Sequence, residues 1–226
     1  MAAEPRAILF DALGTLLSFE PPAPHLRDAL RERAGVDVGL EAAERAIRAE
    51  IAYYRAHLDE GRDPASLADL RARCAAAMAP ELPPIEPAVL LDALLDALRF
   101  FAYPDAAPAL TALRDAGIAR VVVSNWDWSL HERLEETGLA PLVDGALASA
   151  VVGAAKPDGA IFDAALALAG ARPDQAWHVG DTPDVDVDGA RAAGLRPILI
   201  ARDGASGPSG VTVVRSLMEL IPLATR

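Results

Sequence analysis

The sequence predicts an α/β protein in which a parallel sheet lies between two layers of helices and the chain is interrupted by an inserted helical domain. Two observations predict this fold class. Short, nearly continuous apolar runs end at polar residues or glycine, which is typical of buried parallel strands. Amphipathic patterns that close on glycine separate these runs, as helices do. Strands that alternate with helices form a parallel sheet covered on both faces.

Four apolar runs are the predicted strands of this sheet. They occupy residues 7–10, 121–123, 176–179 and 197–200. The helices predicted between them occupy residues 107–116, 130–137 and 160–169, each followed by glycine. Sequential elements of this kind pack next to one another, so the four strands are expected to share one sheet.

The stretch of residues 17–102 breaks this alternation, because it offers helix signals and no convincing strand. Its clearest helix repeats apolar residues every three or four positions, at Leu40, Ala43, Ile47, Ile51, Tyr54 and Leu58. Further helices are expected at residues 24–34, 66–78 and 86–101. The sequence therefore predicts a helical insertion at 17–102 in a core built from residues 1–16 and 103–226.

Composition limits the classes of partner. The 226 residues include 33 acidic and 21 basic side chains, and the formal net charge of −12 argues against nucleic acid or an anionic membrane as a partner. The single cysteine, Cys74, cannot form an intramolecular disulfide, and the N-terminus lacks the apolar stretch of a signal peptide. No segment is long and apolar enough to span a bilayer. A cytoplasmic location is expected.

Polar side chains follow the predicted strands. Asp11 ends the first strand, Ser124 and Asn125 end the second, and Asp181 ends the third, while Lys156 lies in a loop after the next core element. The carboxyl ends of parallel strands border the ligand crevice of such a sheet, so these groups are expected to converge.

The segments FDALGT, VVVSN, AAKPD and HVGDTPDVDVDGA resemble, in this order, the four signature motifs of the haloacid dehalogenase-like hydrolase superfamily. The resemblance covers nearly the whole chain, because the insertion also resembles the helical cap of subfamily I. It implies a Rossmann-like three-layer α/β/α core with a parallel sheet and an inserted helical cap domain. It also implies a hydrolase that acts on a small phosphorylated molecule with Mg²⁺.

The resemblance assigns the metal ligands. It implies that Mg²⁺ is held by the carboxylates of Asp11 and Asp181 and by the backbone carbonyl of Leu13, with Asp186 supporting the metal through water or fixing the loop. Only oxygen atoms are present in this set, and oxygen ligands suit Mg²⁺.

The resemblance also assigns the catalytic groups. Asp11 is expected to be the nucleophile that forms an aspartyl-phosphate intermediate. Ser124 and Asn125, with the adjacent backbone, are expected to bind the phosphoryl oxygens. Lys156 is expected to neutralise charge on Asp11 and on the substrate, since phosphoryl transfer depends on such stabilisation.

One departure from the family pattern concerns position 13. Phosphatases of the superfamily carry an aspartate there, which protonates the leaving group, whereas this chain has Leu13. General acid–base assistance is worth ~10²–10⁴ in rate, or roughly 3–5 kcal/mol of barrier. The backbone carbonyl of residue 13 is unaffected, so the metal site is expected to remain.

Three interpretations of Leu13 stay open. The first is a 2-haloacid dehalogenase, although metal-free dehalogenases of the superfamily usually replace the acid that is kept here as Asp181. The second is a phosphatase whose substrate has a good leaving group, or whose acid is another residue such as His131 or Asp127. The third is a metal- and phosphate-binding protein that has lost turnover. The retained Asp181 favours the Mg²⁺-dependent phosphatase; the sequence does not indicate the substrate or the oligomeric state.

Overall fold

The computed structural model describes residues 4–225 and contains eight strands. In chain order they are β1 (Ala7–Phe10), β2 (Leu17–Phe19), β3 (Phe100–Ala102), β4 (Ala119–Ser124), β5 (Gly145–Ala148), β6 (Ala176–Gly180), β7 (Arg196–Ile200) and β8 (Thr212–Val214). Six of them form one sheet in the order β5-β4-β1-β6-β7-β8, and each neighbouring pair in it is parallel. The remaining two, β2 and β3, pair with each other.

Ten α-helices accompany the strands in the described residues. They are α1 (Pro22–Ala34), α2 (Leu40–His57), α3 (Pro64–Met78), α4 (Pro87–Ala97), α5 (Ala106–Asp115), α6 (Leu130–Glu136), α7 (Ser149–Val152), α8 (Gly159–Ala169), α9 (Asp188–Ala192) and α10 (Ile221–Ala224). The parallel sheet flanked by helices is the predicted Rossmann-like α/β fold, and the fold class is therefore confirmed.

The central strands are buried because their side chains are apolar on both faces. Every residue of β1 is buried, and so are the three consecutive valines of β4. On one face, Leu9 and Val121 pack in the same cluster as Phe162 of α8. Parallel strands covered on both faces need such continuous apolar runs. This packing fixes the carboxyl ends of β1 and β4 side by side.

The described chain divides into two compact units. One unit runs to Ser18 and resumes at Ala102, and it contains the six-stranded sheet. The other unit is Phe19–Phe101 and contains helices α1 to α4. In this second unit α1 packs against α4 and α2 against α3, around a core of Leu26, Leu30, Leu70, Met78 and Leu94.

The structure corrects some expectations about individual elements. Residues 17–102 were expected to hold no strand, but β2 and β3 lie at the two ends of this stretch. The helix expected at 86–101 ends at Ala97, because Leu98 leaves the helical conformation with a ψ of 83°. β5 and β8 were not predicted: β5 has the sequence GALA, which lacks β-branched residues, and β8 has only three residues.

Within the described part of the chain, no helix combines the length and the apolar character needed to cross a membrane.

Candidate active site

Asp11 lies at the centre of the carboxyl edge of the sheet. β1 is flanked by β4 and β6, and Phe10 is in register with Val122 and Val179. The backbone amide of Asp11 donates to the carbonyl of Val179 at 2.9 Å, which ties the residue to β6. The Ser124 hydroxyl, at the end of β4, donates to Oδ1 of Asp11 at 3.0 Å. The structure thus brings together two of the residues that the sequence places at strand ends.

Lys156 is the third member of this group. Its Nζ atom lies 2.6 Å from Oδ1 of Asp11 and 2.6 Å from Oδ1 of Asp186, and its side chain is almost fully buried. Burial opposes the charged form of the amine, but the two carboxylates outweigh it and hold the pKa of Lys156 above its ordinary value. Lys156 is therefore a buried cation fixed between two anions.

The backbone of Lys156 is held by Asn125. The Lys156 amide donates to Oδ1 of Asn125 at 2.7 Å, and Nδ2 of Asn125 donates to the Lys156 carbonyl at 2.9 Å. Both polar atoms of this side chain are therefore engaged by the backbone of one residue, Lys156. The geometry links the end of β4 to the Lys156 loop.

Asp186 lies in a π-helical turn, Pro183–Val187, that follows β6. Its Oδ1 atom accepts from Lys156 and lies 2.9 Å from Nε2 of His178, while its Oδ2 accepts from the Thr182 amide at 3.0 Å. Burial would raise the pKa of Asp186, but the Lys156 charge and the His178 hydrogen bond hold it below its ordinary value. Asp186 is an anion that orients Lys156.

Three carboxylates, Asp11, Asp181 and Asp186, form the group called here the carboxylate cluster. Each offers one oxygen, and these oxygens lie within 4.8 Å of one another. Burial raises the pKa of Asp11 to about 6 against the attraction of Lys156, and desolvation together with the charge of Asp186 raises the pKa of Asp181. One lysine does not balance three carboxylates, so the cluster keeps an excess of negative charge. This oxygen-only set fits a hard divalent cation such as Mg²⁺.

Two glycines allow the carboxylates to approach the backbone. Gly14 has a φ of +83°, and a Cβ atom there would lie 2.1 Å from Oδ2 of Asp181. At Gly180, the last residue of β6, a Cβ atom would lie 2.1 Å from Cγ of Asp186. Any larger residue would displace a carboxylate, and at Gly14 it would also be strained by the positive φ.

Leu13 lies in the same turn, and its side chain is apolar and 37% exposed. The two residues that the sequence suggests as a substitute acid are Asp127 and His131. Oδ1 of Asp127 accepts from the amide of Ser129 at 2.7 Å and from its hydroxyl at 2.6 Å. This is an Asx turn before α6. His131 is exposed on α6.

Two further residues, Thr182 and His178, contact the carboxylate cluster. The sequence motifs did not assign either of them to the site. The Thr182 amide bonds Asp186, and the His178 ring, buried in β6, faces the same carboxylate and meets Phe162 edge-on at 5.1 Å. Burial lowers the pKa of His178. A neutral imidazole beside a carboxylate carries its proton on Nε2, which leaves Nδ1 as an unpaired acceptor. In the sequence, the only indication that His178 belongs to the site is that it is a polar residue within the apolar run 176–179.

The fold and this site are those of a hydrolase with an aspartate at the end of its first strand. The model of the haloacid dehalogenase-like hydrolase family matches residues 5–194. The chain therefore belongs to this family, and the family and enzyme class expected from the four motifs are confirmed.

Known relatives include both phosphatases and dehalogenases. The phosphoserine phosphatase of Thermus thermophilus is 39% identical over 105 residues, which are 46% of this chain and 42% of that protein. The chain thus matches less than half the length of this relative. A phosphatase from Thermococcus onnurineus has a similar structure, with a TM-score of 0.68 and 27% identity over 97% of this chain and 98% of its own. A dehalogenase structure has a TM-score of 0.69 and 25% identity, over 98% and 97% of the two chains.

Proposed function

We propose that this protein is a Mg²⁺-dependent phosphatase that hydrolyses a small phosphorylated metabolite through an aspartyl-phosphate on Asp11. The observation that carries the proposal is the contact of Asp11 with Lys156 at 2.6 Å inside the carboxylate cluster. A carboxylate nucleophile that attacks a phosphoryl group brings two anions together, and such a step requires nearby positive charge.

The residues that would hold the metal are Asp11 and Asp181, through their carboxylates, and Leu13, through its backbone carbonyl. When bound, Mg²⁺ neutralises negative charge on these carboxylates and on the phosphoryl oxygens. Asp186 would not coordinate the metal directly, because its two oxygens already accept hydrogen bonds from Lys156, His178 and Thr182. It orients Lys156, and it would support a bound metal through water or fix the loop.

The reaction then uses residues at the ends of the neighbouring strands β1 and β4 and Lys156 of the loop between α7 and α8. A carboxylate oxygen of Asp11 forms a bond to phosphorus, and the bond between phosphorus and the leaving oxygen breaks. Lys156, the Ser124 hydroxyl and the backbone at Asn125 bind the phosphoryl oxygens and stabilise the charge that develops there. A water oxygen then forms a bond to phosphorus, the bond between phosphorus and the Asp11 oxygen breaks, and Asp11 returns as a carboxylate while the protons of the water leave with inorganic phosphate or pass to solvent. Leu13 supplies no proton, so the leaving oxygen departs as an anion or takes a proton from water.

A 2-haloacid dehalogenase is the second candidate, and Leu13 is the observation that favours it. A halide needs no protonation when it leaves, so an apolar residue at position 13 would cost such an enzyme nothing. The carboxylate cluster argues against this candidate, because three carboxylates around one lysine favour binding of a cation. In either case the substrate is a small molecule. We place the activity in the cytoplasm, since a single cysteine cannot form an intramolecular disulfide.

Asp11→Asn tests the nucleophile. Its turnover of an aryl phosphate should fall by at least ~10³-fold, because removing the nucleophile disables the whole catalytic group. Asp184→Asn is the matched control, since Asp184 is an exposed aspartate in the nearby turn and is not part of the cluster. It should keep its activity. Circular dichroism should show the same fold for both variants, and retained turnover in Asp11→Asn would remove Asp11 from its role.

A further inference from the structure

Arg202 follows β7 and reaches the turn between β1 and β2, residues 11–16, called here the β1–β2 turn. Its Nη2 atom donates to the Thr15 carbonyl at 2.6 Å, and its Nε donates to the Gly14 carbonyl at 3.3 Å. These two carbonyls come directly after that of Leu13, the carbonyl assigned above to the metal. Arg202 therefore holds the backbone of the turn that carries Asp11.

The guanidinium of Arg202 is itself fixed from the opposite side. Asp105 accepts from both of its terminal nitrogens at 3.1 Å, and the group lies over the Tyr103 ring at 3.7 Å. Asp105 also accepts from the Ser216 hydroxyl at 2.7 Å and from the Leu217 amide at 2.9 Å. These hydrogen bonds hold the pKa of Asp105 below its ordinary value although partial burial opposes them. The arginine thus has one defined orientation.

Small movements of the β1–β2 turn would reach the carboxylate cluster. There is no room for even a methyl group between Gly14 and Asp181, since a Cβ atom at Gly14 would lie 2.1 Å from Oδ2 of that aspartate. The turn therefore packs directly on one proposed metal ligand and presents another, the Leu13 carbonyl. A shift of the turn would change the distance between the two.

We propose that Arg202 is a positioning residue for the metal site, which it preorganises by holding the Gly14 and Thr15 carbonyls against the Asp105 anchor. Only arginine offers a planar set of five donors that can serve two carbonyls and a carboxylate together. Arg202 acts through the turn and does not contact the substrate. The inference rests on the proposed function, because it assumes that a divalent cation binds the carboxylate cluster.

The experiment measures the Kd of Mg²⁺ by calorimetry on the full chain, without substrate. In Arg202→Gln the Kd should rise by about tenfold, because Arg202 holds the two carbonyls that follow that of Leu13 and loss of a direct partner of a metal ligand typically weakens metal binding 10–100-fold. Arg196→Gln is the matched control: this arginine of β7 lies over the Trp177 ring at 4.6 Å and bonds Thr212 at 3.4 Å. Its Kd should stay within about twofold of wild type. Turnover of Arg202→Gln should recover toward wild type as Mg²⁺ is raised.

The outcomes separate this inference from the proposed function. If wild-type protein binds no Mg²⁺, the metal site and the inference both fail. If wild-type protein binds Mg²⁺ and folded Arg202→Gln binds it equally well, even with a lower melting temperature, Arg202 only stabilises the fold and the inference is wrong. Arg202→Lys covers the case in which the glutamine variant does not fold. It keeps the charge beside Asp105 but cannot serve both carbonyls, so an unchanged Kd in this variant would also overturn the inference.

Discussion

Asp11 must be an anion to act as a nucleophile, yet its surroundings oppose that charge. Burial raises its pKa to about 6, and Asp186 and Asp181 add to the rise, while Lys156 lowers it. A cation in the carboxylate cluster would favour the ionised form of Asp11 still further. Lys156 and a metal bound there would act in the same direction, and both would keep Asp11, the proposed nucleophile, charged at neutral pH.

Leu13→Asp should restore the missing acid and raise the hydrolysis of alkyl phosphates by up to ~10²-fold, the lower end of the usual acid–base contribution. The 37% exposure of Leu13 means that a polar side chain can be accommodated there. The gain should be smaller for aryl phosphates, whose leaving groups need little protonation. Parallel kcat/KM measurements on one alkyl and one aryl phosphate check this.

The opposite result would point to another acid. If wild-type protein hydrolyses both phosphates equally fast and Leu13→Asp only loses activity, a different residue already supplies the proton. Asp127 and His131 would then be mutated first, although the Asx turn at Asp127 makes it the weaker candidate.

Some site residues could be predicted from the sequence because strand ends converge in a parallel sheet. Ser124 and Lys156 lie far from Asp11 in the chain, yet each places a polar atom within 3.0 Å of Oδ1 of Asp11. His178 and Arg202 could not be assigned in this way. Arg202 lies 188 residues from Gly14, and no local pattern indicates that the two make contact.

Among the elements, strands with continuous β-branched or bulky apolar residues were the predictable ones. β1, β4, β6 and β7 were expected and are present. In the six-stranded sheet, the strands that were missed, β5 and β8, lie at its two edges, where segments of only four and three residues pair with a neighbour already in place. Strand pairing of this kind depends on tertiary packing more than on intrinsic preference.

Helix α2 contains a buried acid that the apolar periodicity did not indicate. Glu50 is only 5% exposed within the helical unit Phe19–Phe101. Burial raises its pKa from 4.5 to about 7, and a hydrogen bond with Cys74 opposes the rise only in part. The ionised form of Glu50 therefore destabilises this unit.

Glu50→Gln should remove a pH dependence of stability. The folded state binds the Glu50 proton more tightly than the unfolded state does. The stabilisation of the folded state by this proton is complete below about pH 4.5 and is lost as the pH rises through about 7. The difference in free energy of unfolding between Glu50→Gln and wild type should therefore grow in favour of the variant as the pH rises from 4.5 to 8. At 1.36 kcal/mol per pKa unit, this growth is up to roughly 3 kcal/mol.

Urea unfolding of the full chain at several pH values measures this difference. Glu41→Gln is the control, because Glu41 lies on the same helix and is exposed. A constant difference between Glu50→Gln and wild type across the whole pH range would show that Glu50 does not titrate with folding.

For the whole molecule, charge is the property that connects fold and activity. The chain has a formal net charge of −12, and the carboxylate cluster adds a local excess of negative charge at the carboxyl edge of the sheet. An anionic substrate would be repelled from such a site without a cation. The same fold and family include proteins named phosphatase and proteins named dehalogenase, so the dependence on metal distinguishes the two candidates better than the fold does.

The most direct measurement is an assay of wild-type protein on a panel of phosphorylated metabolites and 2-haloacids, with Mg²⁺ and with excess EDTA. We expect phosphate release from at least one phosphorylated compound in Mg²⁺, at least ~10²-fold slower release in EDTA, and no release of halide under either condition. Halide release from a 2-haloacid at full rate in EDTA would contradict the proposed function and assign this protein to the metal-free dehalogenases.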